Sequence, residues 1–150
     1  MDTTGLLVGG VALLAATGYG LVHRRRAGRV RAVPVSADPV NPVPAELGVR
    51  PGKVTLLQFS SAFCAPCRAT RVVCAEVARS TPGVAHVEVD AEQRLDAVRA
   101  LDIWKTPTVL IVDADGRIAG RAQGVPTRAQ VLAAVAPLLP AVAELTEEKA

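Results

Sequence analysis

The sequence predicts an α/β domain, a mixed four-stranded sheet with helices on both faces, preceded by one N-terminal helix long enough to span a membrane. Three observations predict it. Short apolar runs alternate with helix-like segments from Val54 onward, twenty residues near the N-terminus carry no charge, and a proline-rich stretch separates the two. The chain has 150 residues, half of them hydrophobic but only 3% aromatic, so a single, mostly aliphatic core is expected.

The first element is "TTGLLVGGVALLAATGYGLV", Thr3 to Val22. At 1.5 Å per residue it reaches about 30 Å as a helix, the thickness of a bilayer's hydrocarbon core. Only Met1 and Asp2 precede it, whereas Arg24, Arg25, Arg26, Arg29 and Arg31 follow. A cleaved leader carries its positive charge before the apolar run, and arginines placed after it hold that side in the cytoplasm. The expectation is a single-pass membrane anchor over residues 1–23, N-terminus out, with the following domain in the cytoplasm. A domain on the extracytoplasmic side is the alternative. Apart from those five arginines and Asp2, 12 of the 17 basic groups and 13 of the 14 acidic ones remain. The formal charge of +3 is therefore a juxtamembrane cluster, and no basic face is left for nucleic acid.

Residues 24–52 contain Pro34, Pro39, Pro42, Pro44 and Pro51, a spacing expected to prevent regular helix or sheet and to give an extended tether. The folded domain is expected over 53–140, with a frayed tail over 141–150. Within it, "VTLLQF" suits a short buried strand, and "APCRATRVVCAEVARS" suits a helix that tolerates Pro66 in its first turn. "VAHVEVD" alternates as a strand does, and "AEQRLDAVRALD" reads as a second, more polar helix. "TVLIVD", a turn at "ADG" and "RIAGRAQG" form a hairpin, and "TRAQVLAAVAPLL" closes the domain as a helix capped by Thr127. The order βαβαββα demands a parallel start and an antiparallel end.

The chemistry-bearing stretch is "SSAFCAPCRAT", with Cys64 and Cys67 at a strand–helix junction. A disulfide exchanger needs one exposed, partly ionised sulfur and a second thiol in bridging reach. Unpaired N–H groups and the dipole at a helix start favour a negative sulfur, which makes Cys64 the attacker and the more shielded Cys67 the resolving thiol. Pro66 stiffens the turn between them. A metal site would need a second ligand pair, and the chain offers only Cys74, His86 and His23. Cys74 lies about 10 Å further along the same helix, too far to share a metal with Cys67 or to bridge it. Redox chemistry leads, with a metal site and two structural thiols as the other readings. Cys74 shares a helical stripe with Cys67 and is expected in the core.

These residues together resemble the thioredoxin family over about Val54 to Leu139. "FCAPC" is similar to the family's aromatic-Cys-Gly-Pro-Cys motif, with Phe63 for Trp and Ala65 for Gly. "KTPT" resembles its loop bearing a cis-proline beside the sulfurs, and Gly116 and Gly124 sit as its hairpin glycines do. The resemblance implies a thioredoxin fold and dithiol–disulfide exchange on protein substrates, with Cys64 as nucleophile and Cys67 resolving. It implies that Thr106 and Pro107 form a substrate groove, with Phe63 and Trp104 as candidate lining residues. It also implies an external electron donor, of the thioredoxin-reductase type or a low-molecular-weight thiol, and no bound cofactor or metal. One departure stands out. Where the family carries a buried acid that helps deprotonate the resolving thiol, this chain has Gln58, and His86 takes the position usually held by Lys. A Gln58–His86 contact under the disulfide is expected, with Glu88 as an alternative base.

The leading functional expectation is thus a membrane-tethered protein-disulfide reductase. An extracytoplasmic oxidase, isomerase or cytochrome-maturation reductant is a second reading. A non-catalytic binding module or thiol-based metal carrier is a third.

Overall fold

The computed structural model describes the backbone of residues 3–26, 30–32 and 42–139. Expectations placed on Met1, Asp2, Arg29, Pro34, Pro39 and the tail 141–150 lie outside the described residues, as do those on the side chains of His23 and Arg24 to Arg26. Helix α1 runs over Thr3–Arg26. Among the described residues no helix is long and apolar enough to cross a membrane, so the spanning role expected for Thr3–Val22 rests on the sequence alone.

The domain is built on β1 (Val30–Ala32), β2 (Val54–Ser60), β3 (Val84–Asp90), β4 (Thr108–Val112) and β5 (Ile118–Gln123), with α2 (Ala65–Ser80), α3 (Leu95–Ala100) and α4 (Arg128–Val135). Among the described residues the sheet has five strands in the order β1-β5-β4-β2-β3. β2 is central: it pairs parallel with β3 and antiparallel with β4, and all seven of its residues are buried. Both of its faces are covered, and its mostly apolar run is broken by the buried polar residues Thr55, Gln58 and Ser60. Leu57 and Phe59 face α3 in one core with Ala97, Leu101, Leu110 and Ile118. Leu56 faces the other way, into a core with Cys74 and Val77 of α2 and Val131 and Val135 of α4.

The sheet corrects the four-stranded expectation. β1 adds an antiparallel edge strand, with Val30 opposite Ala122 and Ala32 opposite Gly120. The prolines begin only after β1, so they never bar its pairing, and Val30 packs against the α4-side core. A 3-10 turn over Ala45–Leu47 places Val43 and Leu47 in the α3-side core. Gly48 closes that turn at φ 83°, a left-handed conformation that suits glycine.

Two helices are shorter than their sequence patterns suggest. The Asp90 carboxylate accepts from the Glu92 N–H at 2.9 Å and from the Gln93 amide at 2.8 Å. This local turn draws residues 91–93 out of the helix, so α3 starts at Leu95. At the other end α4 gives way to a 3-10 turn over Ala136–Leu138, where Pro137 has no N–H to continue the ladder. Thr127 caps α4 as expected, in a reciprocal capping box with Gln130.

If residues 43–49 belong to the core, Leu47→Ala should lower the unfolding free energy by about 2–4 kcal/mol in a denaturant titration. A segment acting only as a tether would leave the midpoint unchanged.

Candidate functional site

β2 delivers the chain to the sheet's end at Ser60, and α2 begins five residues later, at Ala65. Cys64 is the N-cap of α2, in an extended backbone conformation, and its Sγ accepts the Cys67 N–H at 3.1 Å. Helices usually place a Ser, Thr or Asp oxygen there; here the acceptor is sulfur. Cys64 and Cys67 form a disulfide with Cα atoms 5.2 Å apart, the spacing that one helical turn allows. Cys64 is part-exposed, whereas Cys67 is 1% exposed. Pro66 occupies the first turn, where its missing N–H costs nothing, and its carbonyl accepts from the Thr70 hydroxyl at 3.0 Å.

Beneath Cys67 lies a fully buried amide. The Gln58 Nε2 group donates to the Cys67 carbonyl at 3.0 Å and to the Ser60 hydroxyl at 2.7 Å, with the Glu88 carboxylate at 3.4 Å. Its Oε1 lies 3.1 Å from His86 Nε2. Only this orientation satisfies the layer: a reversed amide would set Oε1 against a carbonyl and a carboxylate, both of which only accept. His86 Nε2 therefore carries the proton and donates to Gln58. The expected Gln58–His86 contact is present.

The charged rim lies further out. Arg71, one turn after Cys67, makes a two-pronged bond to Glu88 at 2.5 and 2.8 Å. That bond holds the Glu88 carboxyl below the ordinary glutamate range, although partial burial opposes it. Glu88 is thus a weaker proton acceptor than an ordinary glutamate. Burial lowers the His86 pKa; the neighbouring Glu88 charge works against that shift and Arg71 adds to it. Burial, with a smaller contribution from Glu88, pushes the Cys74 thiol up to about 12, and the side chain is fully enclosed. Cys74 is a core residue and an inert thiol.

A second loop reaches the motif from β4. The Thr106–Pro107 peptide is cis, and the Thr106 hydroxyl lies 3.1 Å from that of Ser61, three residues before Cys64. Pro107 is buried, and its carbonyl accepts from the Gly124 N–H at 2.9 Å. Phe63 is fully exposed, and Trp104 is 83% exposed with its ring N–H hydrogen-bonded to Asp102. A polar cleft of about 300 Å³ lies beside the motif, lined by Ser60, Ser61, Ala62, Arg71, Glu88 and Asp90. A larger apolar cleft of about 510 Å³ lies between β5 and α4 and shares no residue with the motif.

The structure therefore joins Cys64, Cys67, Pro66, Gln58 and His86 into one layered unit and ties Thr106 to it through Ser61. Sequence reasoning missed Ser60, Ser61 and Arg71. Arg71 sits four residues after Cys67 on the helix, but its partner on β3 emerges only from the strand register.

Comparison with known proteins agrees with this geometry. The family model described as thioredoxin matches residues 29–137. A thioredoxin H-type protein of Oryza sativa subsp. indica is 32% identical over 73 residues, covering 49% of this chain and 59% of the relative. Thioredoxin H4-1 of Oryza sativa subsp. japonica is 35% identical over 57 residues, covering 38% and 44%. The chain spans about half the length of these curated relatives. Among solved structures, chloroplastic thioredoxin z superposes with a TM-score of 0.54 at 22% identity, covering 63% of this chain and 84% of its own. Reduced Schistosoma mansoni thioredoxin pre-protein gives 0.53 at 18% identity, covering 63% and 88%. At these identities the structural likeness speaks to fold alone.

The buried layer makes stability pH-dependent. In the unfolded chain His86 titrates at its ordinary 6.5, and in the folded protein lower. Between those values the unfolded chain binds more protons, so the unfolding free energy should fall as pH drops below 6.5. Glu88 adds a loss of the same sign as pH falls from the ordinary 4.5 through its depressed folded value. Urea titrations across this range should show both declines, and His86→Gln should flatten only the upper one.

Proposed function

The chain belongs to the thioredoxin family, and from that premise we propose that it is a thiol-disulfide oxidoreductase that reduces disulfides of protein substrates. One observation carries the reading: a disulfide at the start of α2 whose leading sulfur is part-exposed and whose second sulfur is enclosed. In the reduced form the Cys64 thiolate attacks one sulfur of a substrate disulfide. A Cys64–substrate disulfide forms, and the other substrate sulfur leaves as thiolate and takes a proton. Cys67 then loses its proton and attacks Cys64 Sγ, which releases the second substrate thiol and restores the Cys64–Cys67 disulfide. Two electrons and two protons from an external reductant reset the couple, supplied by a thioredoxin-reductase-like enzyme or a low-molecular-weight thiol.

The α2 N-terminus stabilises the attacking thiolate through unpaired N–H groups and the helix dipole. Thr106 and Pro107, tied to the motif by Ser61, form the groove for an extended substrate segment, with Phe63 and Trp104 as exposed apolar contacts. Gln58 departs from the family's buried acid. It holds the Cys67 carbonyl but takes up no proton, which should slow the resolving step relative to relatives that carry the acid.

The proposal includes tethering. Thr3–Val22 is uncharged and arginines follow it, a pattern that favours an anchored helix with the domain in the cytoplasm. The reducing thiol pool there would keep Cys64 and Cys67 poised as a reductant. β1 starts only four residues after α1 ends, so such an anchor would hold the domain close to the bilayer.

The full chain with dithiothreitol should reduce insulin, Cys64→Ser should abolish turnover, and Cys67→Ser should accumulate a mixed disulfide with substrate. Turnover independent of Cys64 would refute the reading. The couple's potential should lie near about −270 mV; a value near −120 mV would make it an oxidant instead. A reporter fused after Ala150 should be active only in the cytoplasm, and activity confined to the outside would reverse the orientation.

A further inference from the structure

We propose, resting on the disulfide-exchange reading, that Arg121 is a positioning residue that sets affinity for macromolecular substrates by clamping the loop that carries Trp104 and Thr106. The Arg121 guanidinium donates from Nη1 to the Asp102 carbonyl at 3.0 Å and from Nη2 to the Leu101 carbonyl at 2.8 Å. These carbonyls follow the last turn of α3, a helix of six residues that has little stability of its own. The planar fork of an arginine suits two adjacent acceptors, and its charge suits the carbonyl end of a helix.

The clamped residues are also the ones that aim the exposed loop. Asp102 holds a left-handed backbone at φ 54°, an uncommon state for a non-glycine residue. Its carbonyl is held by Arg121, while its carboxylate accepts the Trp104 ring N–H. Leu101 and Ile103 anchor the segment in the core on either side of Asp102. Further along, Thr106 meets Ser61, and the Pro107 carbonyl accepts from Gly124. β5 and the residue after it thus fix the loop at both ends, Arg121 at its start and the Gly124 backbone at its finish. Arg121 acts through the loop, at positions far along the chain from either reacting sulfur.

The test compares full-length wild type with Arg121→Ala and Arg121→Lys, using insulin and a small aromatic disulfide as substrates. Trp104 is the single tryptophan, so its fluorescence anisotropy reports on the loop directly. Arg121→Ala should raise the KM for insulin roughly tenfold, with kcat and the small-disulfide rate held within about twofold. Trp104 anisotropy should fall in parallel. Arg121→Lys keeps the charge but loses the fork, and should give a smaller change of the same kind. An unchanged insulin KM, unchanged Trp104 anisotropy, or a parallel loss of both activities would overturn the clamp. If wild type itself shows no Cys64-dependent reduction of either substrate, the exchange reading fails, and the clamp stands or falls on Trp104 anisotropy alone.

Discussion

A sulfur atom caps α2. The Cys67 N–H reaches the Cys64 Sγ at 3.1 Å, in the place where most helices use an oxygen from Ser, Thr or Asp. That contact places the capping sulfur at the positive end of the helix, where it is part-exposed. The next turn carries the second sulfur inward. β2 supplies the rigid platform from which the helix starts, and its burial on both faces follows from the α3-side and α4-side cores. Pro66 costs nothing where it stands, since the N–H it lacks would have no helical partner.

The layer below the disulfide is polar and closed. Gln58 links the Cys67 carbonyl to His86 and Ser60 with no net charge, so burial carries only the cost of satisfying an amide, and the amide is satisfied. A buried carboxylate in that place would carry a larger desolvation penalty and a raised pKa, the property that makes it a base. Gln58 is a neutral strut in that place. Glu88, the nearest carboxylate to Gln58 by hydrogen bond, is engaged by Arg71 and holds its proton weakly.

Much of this was legible in the sequence because it is local. The limits of α2 and β3 follow from "APCRATRVVCAEVARS" and "VAHVEVD" to the residue, and the capping role of Thr127 follows from its place at the head of the closing helix. The Cys64–Cys67 pair declares itself by spacing and by its place between a strand and a helix. Other parts depend on tertiary partners. β1 exists because β5 offers it an edge, and nothing in "VRA" specifies that pairing. Leu47 reads as part of a proline-rich linker until Leu57 and Phe59 are seen to pack with it in one core. Arg71 and Arg121 look like ordinary surface charges, since their acceptors lie on other elements brought close only by the sheet's register. α3 is shorter than its sequence pattern suggests because the Asp90 side chain binds the backbone of the turn before it.

On the proposed function, the α2 N-terminus makes Cys64 the reactive sulfur and leaves Cys67 and Cys74 protected. The most direct measurement is the rate of iodoacetamide alkylation in the reduced full chain, resolved by residue with mass spectrometry. The proposed reading predicts that Cys64 is alkylated first, as the part-exposed sulfur at the start of α2. Cys67 and Cys74 should stay unmodified over the same interval. Alkylation of Cys67 or Cys74 ahead of Cys64, or at the same rate, would contradict it.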